Sequence, residues 1–182
     1  MIDIRPATAD DVPAIVDLHT RVAAEGVWIG TESPVDSDRF TRLFTEAIQS
    51  DDQLRLLAVD GERVVGNLGL NPTSAGVLYL GMTIDADYRR QGVGTAMMVA
   101  ATEWARAQHG IHKVELEVWP HNAAGIALYT KVGFAIEGRR RRHFRRRNRE
   151  LRDAILMALV LDDSSPGSPL PDQTGLEPGS LG

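Results

Sequence analysis

Between Leu80 and Thr95 the chain reads LGMTIDADYRRQGVGT: a strand-like run, a tight acidic turn, then a helix whose first turn contains Gly92 and Gly94. The two glycines place no side chain over the amides that open the helix. Those N–H groups have no partner inside the helix, and the positive end of the helix dipole lies behind them. A phosphate or pyrophosphate suits such a terminus, and Arg89 and Arg90 add positive charge beside it. Two glycines near a helix start also serve ordinary turns, so the run needs company before it names a ligand.

The flanking sequence builds a mixed sheet around this unit. Ile2 to Arg5 alternates and Pro6 closes it, which predicts a short edge strand. A helix start follows at Thr8-Ala9-Asp10-Asp11, with Val12, Ile15, Val16, His19 and Val22 at helical spacing and His19 read as a packed histidine. GVWIGTESP (Gly26 to Pro34) is an irregular loop of the kind that carries specificity, and Trp28 and Glu32 in it are candidate substrate contacts. Asp36 to Gln49 reads as a second helix on Phe40, Leu43, Phe44 and Ala47. Leu54 to Val59, Arg63 to Leu70 and Val77 to Ile84 read as an antiparallel meander, its first turn signalled by Asp60-Gly61.

Beyond the glycine run, a helix from Gly92 to Gln108 is expected to turn Val93, Ala96, Met97, Ala100 and Trp104 inward. A strand (Lys113 to Trp119), a helix (Asn122 to Val132) and two strands (around Phe134 to Phe144 and Leu151 to Leu161) complete the pattern. The last turn falls at Arg147-Asn148-Arg149-Glu150, where a glycine would suit the Arg149 position better. The order predicts an α/β (α+β) fold: a mixed, mostly antiparallel sheet of six to seven strands flanked by about four helices.

Residues 162–182 hold 12 Pro, Gly or Ser among 21, so the expected folded domain is 1–161 with a disordered tail of 162–182. There is no cysteine, which excludes disulfides, thiolate nucleophiles and the common structural zinc sites. His109, His112, His121 and His143 show no ligand spacing, and no metal is expected. The longest apolar run, Ala154 to Leu161, is too short to span a bilayer, and the first residues carry no apolar signal core. A soluble cytoplasmic protein is the expectation. The net charge of −5 hides nine arginines against Glu150 alone between Arg139 and Arg152.

A second informative group is EVWPHNAAGIALYTKVGF, from Glu117 to Phe134. Asn122 stands where a helix N-cap is wanted, and Tyr129 lies two helical turns along. The two groups together resemble the GNAT superfamily of N-acetyltransferases, which move an acetyl group from acetyl-coenzyme A to an amine. Arg89-Arg90-Gln91-Gly92-Val93-Gly94 is similar to its R/Q-x-x-G-x-G/A loop, and Asn122 to Phe134 to its N-x-x-A-x-x-L-Y-x-x-x-G-F segment. The resemblance implies that Met82, Thr83 and Ile84 pair with the pantetheine arm and polarise the thioester. It further implies that Arg90, Gln91, Gly92, Val93, Gly94 and Thr95 hold the pyrophosphate, with Arg89 beside them. Asn122 would contact the arm, Tyr129 would protonate the departing thiolate, and Glu117, as in the similar ribosomal-protein alanine acetyltransferases, would be the general base.

Elementary chemistry asks for the same groups. An amine with a pKa of ~8 to ~10.4 is mostly protonated at pH 7, so a base must free its lone pair. The tetrahedral oxyanion needs a fixed donor and the thiolate an acid. With no cysteine and no Ser/His pair, direct attack in a ternary complex is favoured over an acyl-enzyme. Glu115 rivals Glu117, since alternation puts both on one strand face, ~7 Å apart.

The arginine run admits three readings: a solvated or dimer-facing hairpin, a grip on a substrate carboxylate or phosphonate with Arg142 as the candidate, or a nucleic-acid surface. The negative total charge and the scarcity of aromatics beside the run disfavour nucleic acid. The first expectation for the acceptor is a small amino acid or an amino-acid-like compound; aminoglycosides, polyamines and protein N-termini stay open. A coenzyme A sensor without turnover is the non-catalytic rival, and a homodimer is compatible with the sequence.

Overall fold

The computed structural model describes residues 2–161, so the stretch expected to be a tail, 162–182, lies outside the described residues. Seven strands form one sheet: β1 (Ile2–Pro6), β2 (Leu54–Asp60), β3 (Arg63–Ser74), β4 (Val77–Ile84), β5 (Lys113–Val118), β6 (Ala135–Arg145) and β7 (Leu151–Val160), in the order β1-β2-β3-β4-β5-β7-β6. All neighbours are antiparallel except β4 and β5. Four helices flank it: α1 (Val12–Ala24), α2 (Ser37–Gln49), α3 (Val93–Ala107) and α4 (Ala123–Val132). This is the mixed α/β sheet that the sequence predicts.

Alternation along β2 makes the two cores. Leu54, Leu56 and Ala58 pack with α3 and α4, while Leu57 and Val59 pack with α1 and α2. The helices therefore cover opposite faces.

The inward face of α3 contains most of the expected stripe and is wider than it. Val93 and Met97 are buried and Ala100 and Trp104 are half-buried against the core, as expected; Met98, Ala101 and Ala105 are buried too, and Ala96 is exposed. Gly94 lies on the buried side of α3. A Cβ there would lie 2.9 Å from Leu128 and 3.1 Å from Ile84, so the backbone of α3 is pressed against α4 and β4 along this side.

The turn between β3 and β4 fixes where β4 meets β5. The Gly76 carbonyl accepts from the N–H groups of His112 (2.9 Å) and Lys113 (3.3 Å), which starts the parallel register at Val77↔Lys113. Gly76 has φ +76°, and a Cβ there would stand 2.5 Å from the Gly110 carbonyl oxygen. Gly76→Ala is expected to cost at least ~2 kcal/mol in urea denaturation, the sum of a left-handed alanine and a backbone clash. Gly61→Ala, at φ +59° with nothing within 4 Å, should cost only the first part. Equal losses in the two variants would show that the docked turn contributes nothing.

Candidate functional site

The ladder between β4 and β5 runs Val77↔Lys113, Leu78↔Val114, Tyr79↔Glu115 and then stops. Beyond it β4 stays paired to β3 as far as Ile84, and β5 stays paired to β7 as far as Val118. The two strands therefore part while each keeps its outer partner, and the backbone groups of β4 between Leu80 and Ile84 that face β5 have no ladder partner. Water or a ligand must take them. The result is a slot with one extended edge, containing Met82, Thr83 and Ile84.

The slot leads to the start of α3. A 3-10 turn (Ala86–Tyr88) and left-handed conformations at Arg90 (φ 62°) and Gly92 (φ 85°) swing the chain into the helix, whose first bond runs from Ala96 N–H to Gly92 O (3.0 Å). Arg90, Gln91 and Gly92 are exposed and Thr95 is half-buried. Open space surrounds Gly92, as the sequence implies; Gly94, by contrast, is small for packing and is buried with Val93.

Arg89 turns away from this terminus. Its Nη1 and Nη2 grip Glu25 at 2.6 and 2.5 Å, its Nε donates to the Ile84 carbonyl (3.0 Å), and its guanidinium stacks 5.3 Å from the Trp28 ring. Trp28 Nε1 donates to the same Glu25 (2.6 Å). The Arg89 hydrogen bonds hold the Glu25 carboxyl below the usual range. This knot ties the loop after α1 to the end of β4 and leaves Arg90 as the exposed cation.

On the other side lie β5 and α4. Lys113, Glu115 and Glu117 share the half-buried face of β5. Glu115 stands at the last ladder pair and Glu117 just past it, where the strands separate. Glu117 Oε1 is ion-paired with Arg140 of β6, and a cavity of about 260 Å³ here is lined by Tyr79, Glu115, Glu117, Glu137 and Arg140 among others. Burial, then the Glu117 charge, pushes the Tyr79 hydroxyl up.

Asn122 caps α4, its Oδ1 accepting from Gly125 N–H (2.9 Å), which leaves Nδ2 as its donor. Tyr129 is buried against Phe134 (6.1 Å between rings). Burial, with a smaller contribution from Tyr79, pushes its hydroxyl up to about 12, so it stays a proton donor at physiological pH.

The arginine run is largely consumed inside the protein. Arg139 pairs with Asp153, and Arg152 with Glu150 (2.9 Å). Arg146 is 5% exposed, faces the Trp119 ring at 4.9 Å, donates to the carbonyls of Gly26 (3.3 Å), Ile29 (3.2 Å) and Gly30 (2.9 Å), and pairs with Glu32 (3.3 Å). Arg147 adds its N–H to Glu32 (3.0 Å). Arg142 lies on a bulge at φ 54°, its N–H on Asp153 (2.6 Å) and its side chain exposed. Trp28, Glu32 and Arg142 thus belong to three separate contacts. Sequence reasoning passed over Arg55 and Tyr79; Arg55 had a signal, as the one charge inside the apolar run LRLLAV.

Arg146→Met should free the loop 26–34. Losing the buried guanidinium and its three carbonyl partners predicts about 3 kcal/mol less stability in urea and proteolytic nicking within 26–34, with little rescue by Arg146→Lys, which lacks the fork. Unchanged stability would remove Arg146 from this role.

The Acetyltransferase (GNAT) family model matches residues 21–134. An L-amino acid N-acetyltransferase of Escherichia coli is 31% identical over 166 residues, covering 87% of this chain and 98% of that protein. An L-methionine sulfoximine/L-methionine sulfone acetyltransferase of Pseudomonas aeruginosa is 30% identical over 141 residues, covering 74% and 81%. Among solved structures, an acetyltransferase of the GNAT family from Streptococcus pneumoniae superposes with a TM-score of 0.79 at 25% identity, covering 88% of this chain and 99% of that one.

Proposed function

Since the chain belongs to the GNAT family and is an acetyl-CoA-dependent N-acetyltransferase, we propose that it acetylates a small free amino acid or an amino-acid-like compound by direct attack in a ternary complex. The acceptor class is supported by the two relatives above, each matched over most of its length and each named for an amino acid or an amino-acid analogue.

The residues present fit acetyl-CoA. The open amides before Ala96 and the bare backbone at Gly92 suit its pyrophosphate, with Arg90, Gln91, Val93, Gly94 and Thr95 completing the loop. The unpaired edge at Met82, Thr83 and Ile84 suits its extended amide-bearing arm, and Asn122 Nδ2 offers a further donor. The co-substrate supplies an activated acetyl thioester.

The observation that carries the mechanism is the position of Glu117 past the last β4–β5 pair, at the mouth of the slot. There its carboxylate takes the ammonium proton, directly or through one water. An N–H of the free β4 edge donates to the oxygen that becomes negative, a contribution of ~3 kcal/mol for one such donor. Tyr129 gives its proton to the sulfur that leaves. Leu128, its neighbour on α4, approaches β4 across Gly94, which keeps this helix beside the slot.

The direct test is thiol release from acetyl-CoA over a panel of free amino acids, amino-acid-like phosphonates, polyamines, aminoglycosides and N-terminal peptides; a chain without cysteine gives a thiol dye no background. Saturable release with free amino acids is expected, and release only with another class would discard the acceptor. Glu117→Gln and Tyr129→Phe should each lower kcat by ~100-fold or more with acetyl-CoA affinity nearly unchanged. With its acid titrating at about 12, wild-type kcat should not fall on the alkaline side below pH ~10. Full kcat in Glu117→Gln at every pH would discard that base.

A further inference from the structure

Among the described residues, two buried side-chain polar atoms have no hydrogen-bond partner: Arg55 Nε and Thr83 Oγ1. They fall on one patch. In register, Arg55 faces Gly69 and Leu57 faces Asn67 across β2 and β3, while Gly69 faces Gly81 and Asn67 faces Thr83 across β3 and β4. Side chains of facing residues share a side of the sheet, so Arg55, Asn67 and Thr83 point the same way, toward α1 and α2.

Arg55 is held without a counter-ion. No ion pair to it occurs among the described residues; its Nη1 donates to Asn67 Oδ1 (3.1 Å) and its guanidinium lies 4.8 Å from the Phe44 ring. One neutral acceptor and one aromatic face leave the buried Nε–H without a partner. A buried charge ordinarily comes paired, because uncompensated desolvation is costly. His19 supplies no anion: burial, helped by the Arg55 charge, brings it to about 4, so its ring is neutral at physiological pH.

The guanidinium also points somewhere. A Cβ on Gly69 would stand 2.6 Å from Arg55 Nη2, so the arginine reaches across Gly69 toward Gly81, where nothing lies within 4 Å of the Cβ position. One step further along this row comes the slot, and on its far side Glu117, two residues beyond the Tyr79↔Glu115 pair. Two glycines thus form a floor with a cation at one end and the carboxylate base at the other. At ~4.8 Å between paired strands, the row has room for one small molecule between the two side chains.

We propose that Arg55, with Asn67 and Thr83 beside it, is the seat of the acceptor's carboxylate, so that the α-carboxylate of an amino acid docks on β2 while its amine faces Glu117. The inference rests on the amino-acid reading of the acceptor and names the group that selects it. A planar fork suits a carboxylate in two-point contact, and the Thr83 hydroxyl gains its missing partner in the same event. Selection for the carboxylate thus comes from one arginine in an apolar strand, not from the arginine-rich hairpin.

The test compares kcat/KM for an amino acid the wild type accepts with that for its carboxamide, in wild type, Arg55→Met and Arg55→Lys. Wild type should prefer the acid by about 100-fold or more. Arg55→Met should lose that preference, falling about 100-fold on the acid and less than about threefold on the carboxamide, with acetyl-CoA affinity intact; Arg55→Lys should recover part of it. Methionine fills the same buried space without charge, so the unliganded variant should melt no lower than wild type. Equal losses on acid and carboxamide, an undiminished preference, or failure of Arg55→Met to fold would each overturn the proposal and make Arg55 structural. If wild type accepts no free amino acid at all, the acceptor reading itself fails; if it does and Arg55→Met keeps the preference, only this inference fails.

Discussion

Three residue pairs join β4 to β5, and what the protein can do follows from their ending at Tyr79 and Glu115. A strand whose backbone groups lose their partners in a sheet interior forfeits about 1–3 kcal/mol for each group left dry. Here the loss is contained, because β4 keeps β3 and β5 keeps β7 on their outer sides. Both strands remain rigid while the space between them opens. The Gly76 carbonyl, bound by His112 and Lys113, pins the closed end, so the opening is a wedge whose mouth falls at Met82 to Ile84 and at Glu117. An extended ligand can complete the ladder, and on the proposed mechanism the group at its tip lies beside Glu117.

Charge is organised by the same economy of partners. The run from Arg139 to Arg152 looks like an anion surface in sequence, yet Asp153, Glu117, Glu32 and Glu150 each take one of its arginines. Arg146 does more than pair: with its guanidinium against the Trp119 ring and its N–H groups on three carbonyls, it holds the loop 26–34 to the hairpin. Exposed arginines of the hairpin are screened by water and salt and discriminate weakly. The guanidinium with a buried donor left unmet is that of half-buried Arg55 on β2, where the lower local dielectric makes any arriving anion count for more.

The sequence showed the elements and their order plainly, because hydrophobic period and turn residues are local signals. It also showed the open start of α3, since Gly92 there is a matter of backbone alone. It misjudged what depends on reach. Arg89 was placed with the pyrophosphate loop by its neighbours in the chain, but a side chain that long settles on Glu25, far away in sequence. Gly94 was read as baring an amide, and its close approach to Leu128 and Ile84 gives it a packing role that the sequence did not signal. Arg55 was the one charge in LRLLAV, and the alternation that placed Leu57 and Val59 in the α1–α2 core places Arg55 on the same side. No local rule says whether such a residue finds a partner; that takes the register of three strands.

On the proposed arrangement, the acceptor's own charges explain why it is held. A free amino acid is a zwitterion, and taking both its charges from water is expensive unless each meets an opposite charge. Its ammonium meets Glu117, displacing Arg140 from that carboxylate, and its carboxylate meets Arg55, so the site gains no net charge when it fills. An amine without a carboxylate brings a bare cation between Arg55 and Arg140 and must overcome both. The pair also orders the chemistry: the ammonium is bound through the proton it must lose, and once that proton is on Glu117 the neutral amine is held from its far end by Arg55. Binding at the carboxylate thus survives deprotonation of the amine, which keeps the nucleophile facing the slot while the acetyl group is transferred.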